Sequence, residues 1–127
     1  MLVNVVLVAL GGAFGSALRY GAALLGTRWL GASFPYGTLF VNVTGSFAMG
    51  LLIEYLARRY AGAGGELRLL LATGVLGGYT TFSSFSLDVA TLMERGALLT
   101  AFVYLAASIL VGVAAVFAGL ALARHLF

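Results

Sequence analysis

The chain has 127 residues, of which 62% are hydrophobic and only 9% charged, with a net charge of +3 and no cysteine. A soluble domain carries about 25% charged residues, and so small a chain has too much surface for its volume to stay in water with so few polar groups; the mean hydropathy of +1.09 makes lipid the expected solvent. The absence of cysteine excludes disulfides, thiolate metal sites and cysteine nucleophiles, and the seven basic residues, all arginine and scattered singly or in one pair, exclude the clustered footprint of a nucleic-acid binder.

Four apolar stretches follow, each long enough to supply the ~20 residues that cross a hydrocarbon core. The first, residues 2–25, has no Lys or Arg ahead of it and is too long for the apolar region of a signal peptide, so it reads as a retained helix. It carries Gly11, Gly15 and Arg19, with Gly12 and Ser16 alongside. The connection over 27–37 holds the only proline, Pro35, with Trp29 and Tyr36 placed as interface aromatics. The second stretch, 38–57, repeats Thr38, Asn42, Ser46 and Gly50 every fourth residue, a single helical stripe. A charged, glycine-rich solvent loop covers 58–68. The third stretch, 69–93, is interrupted. After a tight turn at Glu94, Arg95 and Gly96, the fourth stretch, 98–123, repeats the stripe with Thr100, Tyr104, Ser108 and Gly112. Nothing in the composition marks a second domain or an internal repeat, so residues 1–127 read as one all-α membrane domain of four transmembrane helices.

Polar groups in hydrocarbon need a partner or a wet path. For Gly11, Gly15, Gly45, Gly50 and Gly112, close helix packing is the favoured reading, because small residues let membrane helices approach. Asn42 and Tyr104 are larger and polar. Asn42 suits either a pore or ligand role or an interhelical hydrogen bond. The third stretch contains Gly77 and Gly78 followed by Tyr79, Thr80, Thr81, Phe82, Ser83, Ser84, Phe85 and Ser86. Paired glycines weaken a helix by about 1 kcal/mol each against alanine, and the Thr and Ser side chains compete for its backbone. A break in mid-membrane is predicted here. Such a break frees carbonyls that can hold a cation and amides that favour an anion; a kink serving only packing is the alternative.

Glu54 and Asp88 lie about one turn from the ends of their apolar runs, and no acid sits within the first stretch. Arg19 is the one buried-looking cation: it suits the mouth of an anion path, a pair with Glu54 or Asp88, or a snorkelling position. With four spans, Arg58, Arg59, Arg68 and Arg124 share one side and Arg28 and Arg95 the other, joined by Arg19 if it snorkels that way, a slight positive-inside bias that permits insertion in both orientations.

Taken together, these motifs resemble the Fluc (CrcB-type) family of fluoride ion channels over essentially the whole chain. Residues 77–86 are similar to its GGxTTFSxFS signature, residues 37–46 to GTxxVNxxGS and residues 11–20 to GGxxGAxxRY. The resemblance implies an antiparallel, dual-topology homodimer with two pores in the cell (inner or plasma) membrane, exporting fluoride passively. It implies pores lined by Phe82 and Phe85, with Asn42 reaching in and Ser83, Ser84, Tyr104 and Ser108 making polar contacts along the path. It also implies Arg19 at the vestibule and a structural sodium at the dimer centre, held by the backbone carbonyls of Gly77 and Thr80. Asp88 stands where the family often has Glu. Ring edges of phenylalanine carry partial positive charge and can face an anion without trapping it.

Three rival readings are weaker. A small-multidrug-resistance-like, proton-coupled exporter needs an acid in the middle of the first helix, where this chain has only Asn4 and Arg19. A small structural membrane subunit would suit the glycine-rich faces but has no need of the broken third helix. An enzyme is not expected, because no Ser–His–Asp, paired-Asp or His/Glu metal constellation exists across the spans.

Overall fold

The computed structural model describes residues 1–127 and is all-helical. Helix α1 (Leu2–Leu30) is followed by α2 (Tyr36–Tyr60), the short α3 (Gly65–Arg68), a π-helix (Leu69–Leu76), a single turn α4 (Gly77–Tyr79), α5 (Phe82–Glu94) and α6 (Leu98–Leu126). The three long helices α1, α2 and α6 are each long and apolar enough to cross a membrane. Only 14 of 127 residues are buried, and the exposed side chains include long runs of Leu, Val and Phe on α1 and α6. That outer surface is suited to lipid and not to water, and the chain is a multi-pass membrane protein.

The helices start and stop close to where local chemistry demands. α1 runs to Leu30, five residues beyond the apolar stretch, and ends where Gly31 takes a left-handed φ of 90°. Pro35 caps α2, which begins at Tyr36, because proline's missing N–H costs nothing at a helix start. Arginines close the long helices, Arg28 on α1, Arg58 and Arg59 on α2 and Arg124 on α6, each favourable beside the negative end of the helix dipole.

Two helix pairs organise the packing. α6 packs chiefly on α2, and α1 chiefly on the π-helix and α4. Both contacts are made by backbone meeting backbone at glycine. A Cβ on Gly50 would strike the carbonyl of Val116, and one on Gly119 the carbonyl of Phe47. On the other pair, Gly11 lies against Leu70 and Gly74, Gly15 against Val75 and Tyr79, and Gly78 against Gly12. The packing expectation therefore holds for Gly11, Gly15 and Gly50, and for Gly45, which abuts Thr80 and Tyr79. Gly112 differs: a Cβ there would meet nothing within 4 Å, so no neighbour in this chain demands glycine at that point.

At one end of the α2–α6 pair, Glu54 Oε1 accepts from Arg58 Nε at 3.0 Å and forms an ion pair with Arg124 Nε at 3.4 Å. Tyr55 and Phe127 meet edge-on beside it, with centroids 4.8 Å apart. At the other end, Leu92 of α5 and Ala101 and Tyr104 of α6 form a small core, joined by Phe34, Leu39, Phe85 and Val89. This core is what seats α5 against α6.

Candidate functional site

The third segment does break, and the break lies at Thr80 and Thr81, where the backbone is extended (φ −86°, ψ 159° and φ −153°, ψ 122°). Gly77 and Gly78, the residues whose propensity pointed to it, stay helical. The physical reason is a partner the propensity scale does not see. Asn42, from α2, captures Thr81 at both ends: its Nδ2 donates to the Thr81 carbonyl at 2.9 Å, and its Oδ1 accepts from the Thr81 amide at 2.7 Å. The amide that would continue the helix by bonding to Gly77 is diverted. Thr81 then caps α5, its Oγ1 accepting from the Ser84 amide at 3.1 Å. Thr80 closes the preceding turn, its amide and its hydroxyl both donating to the Leu76 carbonyl, at 3.0 and 2.9 Å. Gly78 serves the approach to α1 instead, lying against Gly12.

Two cavities meet at Thr81. One, about 330 Å³, gathers Asn42, Ser46, Phe82, Phe85 and Ser108. The Phe82 and Phe85 rings stand 5.7 Å apart and tilted by 53°. Phe82 is 79% exposed, an unusual position for a phenylalanine ring unless something other than this chain covers it. Opposite, the Ser108 hydroxyl is buried and has no hydrogen-bond partner. Asn42 gives one N–H to Thr81 and keeps another, since an amide nitrogen has two. The second cavity, about 280 Å³, is lined by Ser16, Arg19, Thr38, Thr81 and Ser84 among others. Arg19 Nε donates to the Gly78 carbonyl at 3.0 Å. Neither Glu54 nor Asp88 pairs with it: Glu54 is taken by Arg58 and Arg124.

Several predicted positions are thus brought together and others are not. Phe82, Phe85, Asn42 and Ser108 share one cavity, and Arg19 and Ser84 share the next. Ser83 is exposed and its hydroxyl lies 3.4 Å from that of Thr81, lining neither space. Tyr104 is fully buried and lines neither cavity; its hydroxyl donates to Asp88 Oδ2 at 2.9 Å, and its ring is held by Phe34 and Phe85. This gives Asp88 a partner that spacing alone did not suggest. The residue missed was Thr81. A threonine just ahead of a helical Phe–Ser–Ser–Phe run is a capping signal, but its place between the two cavities depends on Asn42.

With this geometry in hand, the comparison with known proteins is direct. The family model described as "CrcB-like protein, Camphor Resistance (CrcB)" matches residues 6–120. The chain belongs to the CrcB family. A relative in Agrobacterium fabrum, named "Fluoride-specific ion channel FluC", is 57% identical over 126 residues, covering 99% of this chain and 100% of that protein. A protein of the same name in Hyphomonas neptunium is 55% identical, covering 95% of each chain. A third, from Chelativorans sp., is 54% identical, covering 97% of this chain and 98% of that protein. The CrcB match spans every segment that contributes a residue to the two cavities.

Proposed function

We propose that this chain is a fluoride-selective channel that lets fluoride leave the cytoplasm passively, down its electrochemical gradient, and so lowers cytoplasmic fluoride. The observation that carries it is the one cavity that Phe82, Phe85, Asn42 and Ser108 line together, with the Ser108 hydroxyl unpartnered. Near-full-length similarity to proteins named as fluoride-specific channels supports the same reading.

Fluoride is small and strongly hydrated, so a pore must replace its water with several weak donors. Positive ring edges, an amide N–H and hydroxyls form such a set, and none of them carries a full charge that would trap the ion. Binding is then strong enough to admit the ion and weak enough to release it. Arg19, with Nε fixed on Gly78, keeps its terminal N–H groups for an anion in the adjoining cavity. Ser84 lines that same cavity, while Ser83 and Tyr104 act from beside the path.

The same proposal makes residues 69–93 a transmembrane span as well, with its break at membrane depth, and makes the functional unit an antiparallel, dual-topology homodimer in the cell membrane. The 79% exposure of Phe82 suits a ring that a second copy covers. A structural sodium fits the break. The Thr80 carbonyl accepts no hydrogen bond, and the Thr81 amide that would have met Gly77's carbonyl goes to Asn42. Neutral backbone oxygens are the donors that a hard monovalent cation takes. Gly77 and Thr80 from each of two copies would hold it, and the ion would neutralise their carbonyl dipoles.

The test is fluoride efflux from liposomes carrying the purified protein, followed with a fluoride electrode and with chloride as control. Rapid fluoride efflux without chloride leak is expected. Retention of fluoride at densities that give a folded dimer would refute the channel for this chain alone.

A further inference from the structure

The proposed path uses two cavities, but a third adjoins them. It measures about 310 Å³ and opens between the α1–α2 connection and the C-terminal half of α5. It shares Ala23, Gly37 and Thr38 with the Arg19 cavity. The Arg19 cavity in turn shares Thr81 with the cavity of the phenylalanine pair. The three cavities therefore lie in sequence, each sharing wall residues with the next, and Arg95 lines the one at the far end.

Two charged side chains line this last chamber, Arg95 and Asp88. Asp88 accepts from the Tyr104 hydroxyl through Oδ2. Arg95, at the C-cap of α5, makes one contact, Nη2 to the Ser33 carbonyl at 3.4 Å. That is at the long limit for a hydrogen bond, and it leaves most of the five guanidinium N–H donors free. Glu94 precedes Arg95 on α5 but does not line the chamber. Thr27, Thr38 and Thr91 add hydroxyls to the walls.

We propose that Arg95 gathers small anions at the mouth of this run, balancing Asp88 and raising the local concentration of fluoride before it reaches Arg19. The inference rests on the fluoride reading above. Low-dielectric walls focus the field of a charge set in a cleft and raise the local concentration of its counter-ion. Arg19 does not serve this purpose, because it lies a chamber further in with its Nε on Gly78. Without Arg95, Asp88 is the only charge left on these walls, and the mouth becomes repulsive to anions.

The decisive variable is salt, because the reach of an exposed charge falls from about 30 Å at 0.01 M to about 3 Å at 1 M ionic strength. Fluoride efflux would be measured for the full chain, for Arg95→Gln and for Arg95→Lys, at these two strengths of an impermeant sulfate salt. Arg95→Gln should slow efflux about two- to fivefold at low salt and match the unaltered chain at high salt. Arg95→Lys, which keeps the charge, should match it at both. If Arg95 only anchors the loop through Ser33, the loss in Arg95→Gln persists at high salt and Arg95→Lys shares it; that result overturns the proposal. Equal rates for all three proteins at low salt overturn it as well. An unaltered chain that carries no fluoride at either strength removes the proposed function and the mouth together, which separates the two failures.

Discussion

Asn42 holds Thr81 by both ends of its amide, donating to the carbonyl at 2.9 Å and accepting from the N–H at 2.7 Å. One side chain on α2 therefore fixes the point at which the third segment stops being a helix. It also fixes where α5, with Phe82 and Phe85, begins. Asn42→Ala would leave both backbone groups without these partners. The expected loss is about 1–3 kcal/mol for each group left unsatisfied, read as a lower unfolding midpoint in detergent. Fluoride efflux should fall with it. A variant with unchanged stability would show that Thr81 is held by something else.

Phe82 offers the opposite separation. Its ring is largely exposed within one chain, so Phe82→Ile should change the stability of the isolated protomer by no more than about 0.5 kcal/mol. Efflux should nevertheless drop at least about tenfold, the equivalent of 1.4 kcal/mol in the barrier. Parallel unfolding and liposome assays decide this: loss of activity in step with loss of folded protein would assign the ring to packing alone.

Glycine substitutions sort the helix contacts. Gly15→Ala pushes a methyl into the carbonyl of Val75, and overpacking of this kind costs typically about 1–3 kcal/mol. Gly112→Ala meets open space, and alanine's better helix propensity should make it neutral or stabilising by up to about 1 kcal/mol. Thermal unfolding of the two variants side by side tests the difference. Equal destabilisation would mean that a second copy packs on Gly112.

Tyr104→Phe removes the only hydroxyl bonded to Asp88 while keeping the ring between Phe34 and Phe85. A carboxylate that loses a partner in a partly enclosed site should cost about 1–3 kcal/mol. Tyr104→Phe combined with Asp88→Ala should recover part of it, because the unpaired acceptor is gone. A double variant no better than the single would place the loss in the ring and not in the pair.

Replacing sodium in all buffers with a large organic cation should loosen the proposed dimer if Gly77 and Thr80 hold an ion between two copies. Dimer dissociation in detergent, followed by size-exclusion chromatography, reports this. The same dissociation profile with and without sodium would remove the ion from the proposal.

The three long helices were legible because their signals are local: apolar length, Pro35 ahead of α2, arginines at the ends. The glycine contacts at Gly11, Gly15 and Gly50 were legible for a similar reason, since few other uses exist for glycine inside an apolar helix. What spacing missed depends on contacts between distant residues. Helix propensity put the weakness at Gly77 and Gly78, yet α1 packs on Gly78 and keeps that turn helical, while Asn42 opens the chain at Thr81. Gly112 occupies the same stripe position as the packing glycines, but a Cβ there would meet nothing within 4 Å. Asp88 and Tyr104 lie sixteen positions apart on different helices, and only the packing of α5 on α6 joins them. Arg19, whose long side chain suited several partners, bonds to a backbone carbonyl, an acceptor that every residue offers and no pattern singles out.

The backbone crossings described above also set how the protein meets random mutation. At Gly11, Gly15, Gly50, Gly78 and Gly119, another chain segment already stands where a Cβ would go. Every base change that turns a glycine codon into another residue adds at least that atom, so none of these five positions has a mild replacement one step away. Ser108 or Phe82 can be traded for side chains of similar size while the fold persists. Loss-of-function variants recovered from an unbiased screen should therefore concentrate on the α1 and α6 crossings, and their genetic map would trace helix spacing before it traced the path of the ion.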